Sequence, residues 1–284
     1  MRAFPALLVF KKEMTMTLTL ERMREGLHLS ASALKTFLSC PFKFRLRYVD
    51  GAKPEFQPSA LILGKAVHAA LAEHHLSLMK ETRLAPDAVL TCFDENLDRE
   101  VEIDLPIQFK CGDDLDALRE TGRGLVEVYL EEAKIGKILA VEQPFQASLV
   151  DPRTGEELEP RLVGFFDLIE EHEDGSVSVV EIKTAARKWS AGQVELDLQG
   201  SLYAEAVSRS GLVPDGREAR LRYDILVKNK KPILDRQHTI RRPEERHMAL
   251  CIAVDALKAI EHGAFYRNPS WACSGCQYRK QCGI

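Results

Sequence analysis

The sequence lacks the features that mark membrane proteins and disulfide-rich secreted proteins. No apolar stretch approaches the roughly 20 residues that a membrane-spanning helix needs. Residues 3–10 are apolar and follow Arg2, but the stretch is short and no small-x-small cleavage site follows it, so we do not expect a secretion signal. Seven cysteines in 284 residues, three of them near the C-terminus, do not form the dense pattern of a disulfide scaffold. We therefore expect a protein of the reducing cytoplasm.

The sequence also lacks an excess of positive charge, which excludes a uniformly basic nucleic-acid coat. Lys and Arg number 39 against 43 Asp and Glu, for a formal net charge of −4. The charge is uneven, however: residues 81–136 hold 15 acidic and 6 basic side chains, whereas residues 217–246 hold 10 basic and 5 acidic, and residues 35–53 hold 5 basic and 1 acidic. The two basic segments can border a phosphate track, although ordinary solvated faces have the same composition. The candidate DNA contacts are Lys43, Arg45, Arg47, Lys230, Lys231, Arg241 and Arg242.

The spacing of apolar residues changes from a helical period to a strand period near residue 137. Helices are predicted over 30–39, 42–49, 60–80, 86–101, 113–135, 195–209 and 243–263, and strands over 138–150, 160–171, 177–183, 219–228 and 232–240. This order predicts an α/β fold with a mixed β-sheet flanked by helices. We expect a disordered N-terminal extension over 1–28 and a single domain over 29–284. That domain would include a helical insertion at about 80–136 and a cysteine-containing tail over 271–284.

Two of the predicted strands, 160–171 and 177–183, form a hairpin that brings two carboxylates together. With a three-residue loop at 173–175, the paired positions place Asp167 directly opposite Glu181. Two carboxylates at cross-strand distance repel each other unless a cation lies between them, and Mg²⁺ or Mn²⁺ is such a cation. The alternative is a surface face on which Glu181 and Lys183 form a Glu–Lys ladder and Asp167 is an isolated charge at the edge.

Four more residues fit a site around this carboxylate pair. Lys183 follows Glu181 by two positions and shares its face, where it can contact an attacking water or a charged phosphate. His68 lies in a predicted helix and can add a nitrogen ligand, although a single helical histidine is more often packed or exposed. Gln199 and Tyr203 are four positions apart on a predicted helix and share a face, which by itself indicates little.

Four cysteines form a second candidate site. Cys273, Cys276 and Cys282 follow the spacing C-x2-C-x5-C, and with Cys40 they provide the four thiolates that either a closed zinc site or a [4Fe–4S] cluster requires. The spacing alone does not decide between these metals. The other three cysteines are expected to be core or loop thiols, namely Cys92, Cys251 and Cys111.

Taken together, these motifs resemble the PD-(D/E)XK nucleases of the RecB-like branch. The matching segments, in the family's order, are Gly64-x-x-Val67-His68, Gly164-x-x-Asp167, Glu181-Ile182-Lys183 and Gln199-x-x-x-Tyr203. The opening Leu29-Ser30-Ala31-Ser32, with Cys40-Pro41 and the C-terminal cysteines, resembles the iron–sulfur members. Those members include the AddB nuclease domain and the CRISPR-associated nucleases that trim prespacers. The resemblance extends over residues 29–282.

The resemblance implies a restriction-endonuclease-like core and metal-dependent hydrolysis of DNA. The implied ligands of Mg²⁺ or Mn²⁺ are Asp167, Glu181, the backbone carbonyl of Ile182, and His68. Lys183 would orient the attacking water or help to deprotonate it, and Gln199 and Tyr203 would position the DNA backbone or brace the site. The four cysteines would hold a structural [4Fe–4S] cluster rather than zinc.

The implied activity is that of an exonuclease acting on DNA ends or single strands, in repair, recombination or CRISPR adaptation. No G-x-x-x-x-G-K-[ST] motif is present, so a helicase partner, like a CRISPR integrase partner, would be a separate chain. Two alternatives stay open. One is a catalytically inactive DNA-binding or assembly module, against which the intact Asp167, Glu181 and Lys183 argue. The other is a zinc-stapled adaptor with no role in nucleic-acid chemistry.

Overall fold

The computed structural model describes residues 28–110, 112–210 and 219–284. The predicted extension over 1–28, except its last residue, and Cys111 lie outside the described residues. The strands are β1 (His28–Ser30), β2 (Gln57–Pro58), β3 (Ile107–Gln108), β4 (Lys137–Val150), β5 (Glu157–Glu171), β6 (Val177–Ala185), β7 (Ala219–Val227) and β8 (Ile233–Thr239). The helices are α1 (Ala31–Ser39), α2 (Pro41–Phe44), α3 (Ser59–Met79), α4 (Pro86–Val101), α5 (Leu115–Glu132), α6 (Ala191–Glu195), α7 (Leu198–Arg209), α8 (Pro243–Glu261) and α9 (Arg279–Cys282).

Within the described part of the chain, six strands form one mixed sheet centred on β5. This strand pairs with β4 along one edge, antiparallel, and with β1 and β6 along the other. The sheet continues through a parallel β6–β7 pair and an antiparallel β7–β8 pair. Strands β2 and β3 form a separate short parallel pair. The predicted mixed sheet flanked by helices is therefore confirmed.

Helices cover both faces of the sheet because the buried side chains of β5 and β6 alternate between two apolar cores. Ile169 and Val179 pack with α1, α7 and α8, whereas Leu168 and Val180 pack with α3, α4 and α5. Each aliphatic side chain buried this completely contributes about 1.5–3 kcal/mol relative to an exposed one. The two central strands are thus held from both sides, which makes them a rigid support for side chains at their ends.

Capping residues set where the helices next to the site begin. The Ser30 hydroxyl accepts the backbone N–H of Ala33 at 3.1 Å and caps the start of α1. The helix predicted over 195–209 begins three residues later, at Leu198, and is divided from the short helix α6, which ends at Glu195. The division occurs because the side chain of Asp197 accepts the N–H of Gln199 and caps a new helix.

Two further predictions concern the segment over 42–49 and the helical insertion at about 80–136. The stretch predicted as one helix over 42–49 is α2 followed by a π-helical turn at Arg45–Val49. The segment predicted as an insertion contains α4 and α5, which pack against α3. Its separation from the core fold remains a prediction. No helix in the described ranges is both long and apolar enough to cross a bilayer.

Candidate metal centre and cysteine cavity

The β5–β6 hairpin has the predicted register, and its backbone ladder ends where the two carboxylates begin. The loop at 173–175 is closed by the N–H of His172, which donates to the carbonyl of Ser176 at 2.9 Å, and the last ladder pair is Leu168 with Val180. One position further, the Asp167 carboxylate accepts the backbone N–H of Ile182 at 2.8 Å. A side chain of one strand therefore takes the place of a backbone partner.

Glu181 is buried, 7% exposed, and only one of its carboxylate oxygens is paired. Lys183 Nζ donates to Glu181 Oε1, while Glu181 Oε2 has no hydrogen-bond partner among the described residues. Burial, followed by the negative charge of Asp167, raises the pKa of Glu181 to about 7. Because an unpaired carboxylate oxygen is costly to bury, the site fits a hard cation, which oxygen ligands of this kind bind.

Lys183 is held between two acceptors. Its Nζ donates to Glu181 and, at 3.0 Å, to Gln199 Oε1. Burial lowers the pKa of Lys183, but the adjacent Glu181 carboxylate more than offsets this effect, so that the pKa lies above its usual value. Gln199 Oε1 also accepts from Lys35 Nζ at 3.4 Å. Lys35 on α1 was not predicted as a site residue, and it brings a second ammonium group beside the first.

The predicted pair on α7 has two different surroundings. Gln199 faces the lysines, whereas the ring of Tyr203 packs edge-to-face against Phe145 and Phe166, with ring centroids 5.3 and 5.4 Å away. Gly164 leaves the room for this aromatic cluster, since a Cβ there would lie 2.7 Å from the ring of Phe145. Burial, and then the nearby carboxylates, raise the pKa of Tyr203 well above its usual value, so its hydroxyl stays protonated. The geometry favours the bracing role for Tyr203.

His68 joins the site through Asp167, together with a residue that sequence reasoning missed. His68 Nδ1 lies 3.6 Å from Asp167 Oδ2. One ligand atom each from His68, Glu142 and Asp167 lie within 4.8 Å of one another. Glu142 is on β4, at the position facing Asp167 between two regular ladder pairs. Only the β4–β5 register points to it, and that register depends on bulges that the sequence pattern does not show.

A groove of about 640 Å³ opens onto these residues. It is lined by His68, Glu142 and Lys183 at the candidate metal centre and continues along α3 and α4 to Cys92. Cys92 is half-buried in this groove rather than in the core, and burial raises the pKa of its thiol to about 11. The candidate metal centre is therefore open to an extended ligand.

The sequence matches the family model of the PD-(D/E)XK nuclease superfamily over residues 28–283. The chain belongs to this superfamily. Its structure is similar to that of a suggested exonuclease from Eubacterium rectale, with 13% identity, 88% of this chain and 87% of the other covered, and a TM-score of 0.51. It also matches SSO0001, with 14% identity, coverage of 88% and 93%, and a TM-score of 0.37. None of the curated proteins matches the sequence significantly.

Membership of the superfamily makes the chain a nuclease by family, and members of the superfamily use divalent metals. The residues that the family's motifs would assign to metal binding are those already described around Asp167 and Glu181. The likeness to the Eubacterium rectale structure, at 13% identity, extends to the fold alone.

The predicted DNA-contact residues of this nuclease are not all on its surface. Lys230 and Lys231 are exposed in the β7–β8 loop. This loop begins beside the end of β6, since the N–H of Lys228 donates to the carbonyl of Ala185. Arg242 is exposed at the start of α8. Arg45 and Arg47 are exposed on the turn after α2, and Lys43 lies half-buried nearby.

Arg241 is the exception, and its predicted role as a DNA contact is wrong. It is 4% exposed, and its guanidinium donates to Ser201 Oγ at 3.0 Å, to Thr239 Oγ1 at 2.7 Å and to the carbonyl of Val194. The last of these contacts lies at the end of α6, where a helix leaves carbonyls without intrahelical partners. Arg222 is likewise buried, in ion pairs with Glu170 and Asp224. Part of the positive charge counted over 217–246 is therefore internal.

The four cysteines predicted as ligands line one cavity of about 50 Å³, between the start of α2 and the C-terminal segment of the nuclease. In the described ranges, no three of their sulfur atoms lie within 4.8 Å of one another. A closed zinc tetrahedron, with Zn–S bonds of about 2.3 Å, would bring its sulfurs to about 3.8 Å apart. The N–H of Ser270 donates to Cys273 Sγ at 3.4 Å. The arrangement is thus wider than a zinc site.

Hydrogen bonds also join this tail to the N-terminal part of the domain. The N–H of Phe42 donates to the carbonyl of Tyr266 at 3.0 Å, and Asn268 Nδ2 donates to the carbonyl of Ser39 at 2.8 Å. Cys251, on α8, is half-buried and outside the cavity lining. The two chain segments therefore meet through the backbone as well as through the cysteines.

Proposed function

We propose that this nuclease is a metal-dependent deoxyribonuclease that hydrolyses phosphodiester bonds at the Asp167–Glu181 site. The observation that carries the proposal is Glu181 Oε2, which is buried beside Asp167 and has no partner within the part of the chain that the structure describes. A divalent cation would satisfy this oxygen and remove the repulsion between the two carboxylates. The Ile182 carbonyl and His68 complete the proposed ligand set.

The side chains around the proposed ligands would each have a separate role in phosphate hydrolysis. A bound cation would make a water more acidic and neutralise charge on the phosphate oxygens. Lys183, fixed by Glu181 and Gln199, would orient the water or help to deprotonate it. Lys35, beside the same Gln199 oxygen, would bind a non-bridging phosphate oxygen from the α1 side. Both lysines donate to Gln199 Oε1, while an ion pair with Asp197 at 2.5 Å also holds Lys35 and the contact with Glu181 also holds Lys183.

The proposed substrate is DNA with accessible ends or single strands, cut by an exonuclease. The fold's likeness to the suggested exonuclease supports action at ends, and the groove beside His68 supports entry of a single extended strand. The exposed Lys230, Lys231, Arg242, Arg45 and Arg47 would contact phosphates outside the site. Repair, recombination or CRISPR adaptation are the proposed settings, and a helicase or an integrase would be a separate partner chain.

We further propose that the cysteine cavity holds a structural [4Fe–4S] cluster. All four cysteines line this one cavity, and the N–H of Ser270 donates to Cys273 Sγ in the kind of N–H···S bond that tunes the ligands of iron–sulfur clusters. The cluster would tie the start of α2 to the C-terminal tail and take no part in hydrolysis, since the cysteines lie outside the β5–β6 hairpin. The four cysteines form no disulfide bonds in the structure, which fits the proposed location in a reducing cytoplasm.

The test of the nuclease proposal uses end-labelled single-stranded and double-stranded DNA with Mg²⁺, Mn²⁺ or EDTA. Wild-type protein should cut DNA with either metal and stop in EDTA. Glu181→Gln should remain folded, bind DNA and cut at less than about 1% of the wild-type rate, because the neutral amide does not replace an anionic ligand. The matched control is Glu171→Gln, four positions from Asp167 on β5. DNA binding without cleavage by wild type under every metal condition would favour the inactive binding module.

A further inference from the structure

Glu142 has a backbone conformation that its strand neighbours do not share. It lies inside β4 but has a φ of +46°, in the left-handed region that non-glycine residues rarely adopt. The pairs on either side of it, Val141 with Leu168 and Gln143 with Phe166, are regular. Strained backbone of this kind persists only where the surrounding structure enforces it, and here it coincides with the candidate metal centre.

The Glu142 carboxylate lies beside the side chains of Asp167 and His68. The three ligand atoms lie within 4.8 Å of one another, which is close enough for one cation to bind all three. They come from three different elements, β4, β5 and α3. The set combines two carboxylates with an imidazole, which is a donor set suited to Mn²⁺ as well as to Mg²⁺.

A second observation ties this set to a ligand. Glu181, nine-tenths buried and next to Asp167, keeps one oxygen without a partner in the described ranges. Lys183 pairs with the other oxygen of Glu181, and His68 Nδ1 lies 3.6 Å from Asp167 Oδ2. Asp167 on β5 therefore lies between two further carboxylates, with Glu181 on the neighbouring strand β6 and Glu142 on the neighbouring strand β4.

We propose that Glu142 is a ligand of the active-site cation, which it holds together with Asp167 and His68. The inference deepens the proposed function and rests on it. Asp167 is then the ligand that lies between the other two carboxylates, Glu181 on β6 and Glu142 on β4. Glu142 is then a metal-binding residue supplied by the first strand of the β4–β5 hairpin, at a position whose backbone is left-handed.

The test is Mn²⁺ binding to metal-free protein, measured by isothermal titration calorimetry. Glu142→Gln should weaken Mn²⁺ binding at least about tenfold, since even outer-shell partners of metal ligands cost about 10–100-fold when removed. The control is Glu73→Gln, which removes a carboxylate lining the same groove but outside the ligand set, and it should change the affinity less than about threefold. Equal losses in both variants would mean general electrostatics and overturn the proposal.

Asp167→Asn separates this inference from the proposed function. If Asp167→Asn weakens Mn²⁺ binding and Glu142→Gln does not, the inference on Glu142 is overturned and the nuclease site stands. If neither variant changes the affinity, the proposed metal site itself is wrong.

The backbone strain offers a second readout that does not depend on activity. Glycine adopts a φ of +46° without strain, so metal-free Glu142→Gly should melt no lower than Glu142→Ala. It should also lack the Mn²⁺-induced rise in Tm that we expect for the wild type. A Glu142→Gly protein that keeps the full Mn²⁺-induced rise would overturn the proposal, because a ligand cannot be dispensable for binding.

Discussion

Asp167 accepts the backbone N–H of Ile182 at 2.8 Å, so the side chain that carries the central charge of the site also holds its two strands together. Charge and geometry can be separated at this position. An Asn side chain keeps an oxygen that accepts the N–H but loses the charge, whereas Ala loses both. The two substitutions should therefore have different effects on the protein.

Asp167→Asn should retain near wild-type stability and lose cleavage. Asp167→Ala should lose cleavage and also about 1–3 kcal/mol of the free energy of unfolding, because it leaves the N–H of Ile182 without its partner. Urea unfolding and DNA cleavage, measured on both variants, check this. Cleavage by Asp167→Asn within tenfold of wild type would contradict the metal-site assignment.

His75 should make the protein acid-sensitive well above the range in which carboxylates titrate. It is fully buried, its Nε2 lies 3.0 Å from the hydroxyl of Tyr129, and burial lowers its pKa to about 3. Between that value and the usual pKa of about 6.5, only the unfolded chain takes up the proton, so the free energy of unfolding falls as pH falls, by up to about 1.4 kcal/mol per pH unit.

The check is urea unfolding of wild type and His75→Gln at pH 7 and pH 5. The variant should start less stable at pH 7, through the altered contact with Tyr129, but lose less stability on acidification than wild type. An equal loss in both proteins would show that His75 does not carry the effect.

The basic loop at Lys230 and Lys231 should contribute to DNA affinity, and Arg241 should not. Replacing both lysines by Gln should weaken DNA binding and reduce the slope of log K against log salt by about one unit per lost phosphate contact. Arg241→Gln should leave the slope unchanged and lower Tm instead, because it removes hydrogen bonds to Ser201 and to the end of α6. A reduced slope in Arg241→Gln would contradict its internal placement.

Cys40 should be required for a bound cluster, and Cys251 should not. Protein purified without oxygen should be brown, with broad absorbance near ~400 nm from sulfur-to-iron charge transfer. Cys40→Ser should bleach this band and lower Tm, whereas the half-buried Cys251→Ser should keep both. Metal analysis that finds about one zinc and no iron would reject the iron–sulfur proposal. It would still agree with a metal site that joins Cys40 to the C-terminal cysteines.

Much of the fold could be predicted because its signals are local. The loop at 173–175 and the alternation of the flanking strands determine the register of the β5–β6 hairpin, and the register places Asp167 next to the segment of Glu181. Ser30 and the proline at position 41 mark the ends of α1 by their own chemistry. The same short-range logic predicted the helices that cover the sheet.

The rest of the site depends on contacts that no local pattern encodes. Glu142 faces Asp167 only through the pairing of β4 with β5, which contains two irregularities. Lys35 reaches Gln199 across 164 positions of sequence. Arg241 looks like a surface arginine beside Arg242, and only the position of α6 shows that its guanidinium is enclosed.

The most direct measurement of the central claim is the position of Mn²⁺ in crystals of the wild-type protein, located by its anomalous scattering. The account predicts a peak at coordination distance, about 2 Å, from carboxylate oxygens of both Asp167 and Glu181. A fully occupied Mn²⁺ elsewhere, with no peak at this pair in protein that cuts DNA, would contradict it.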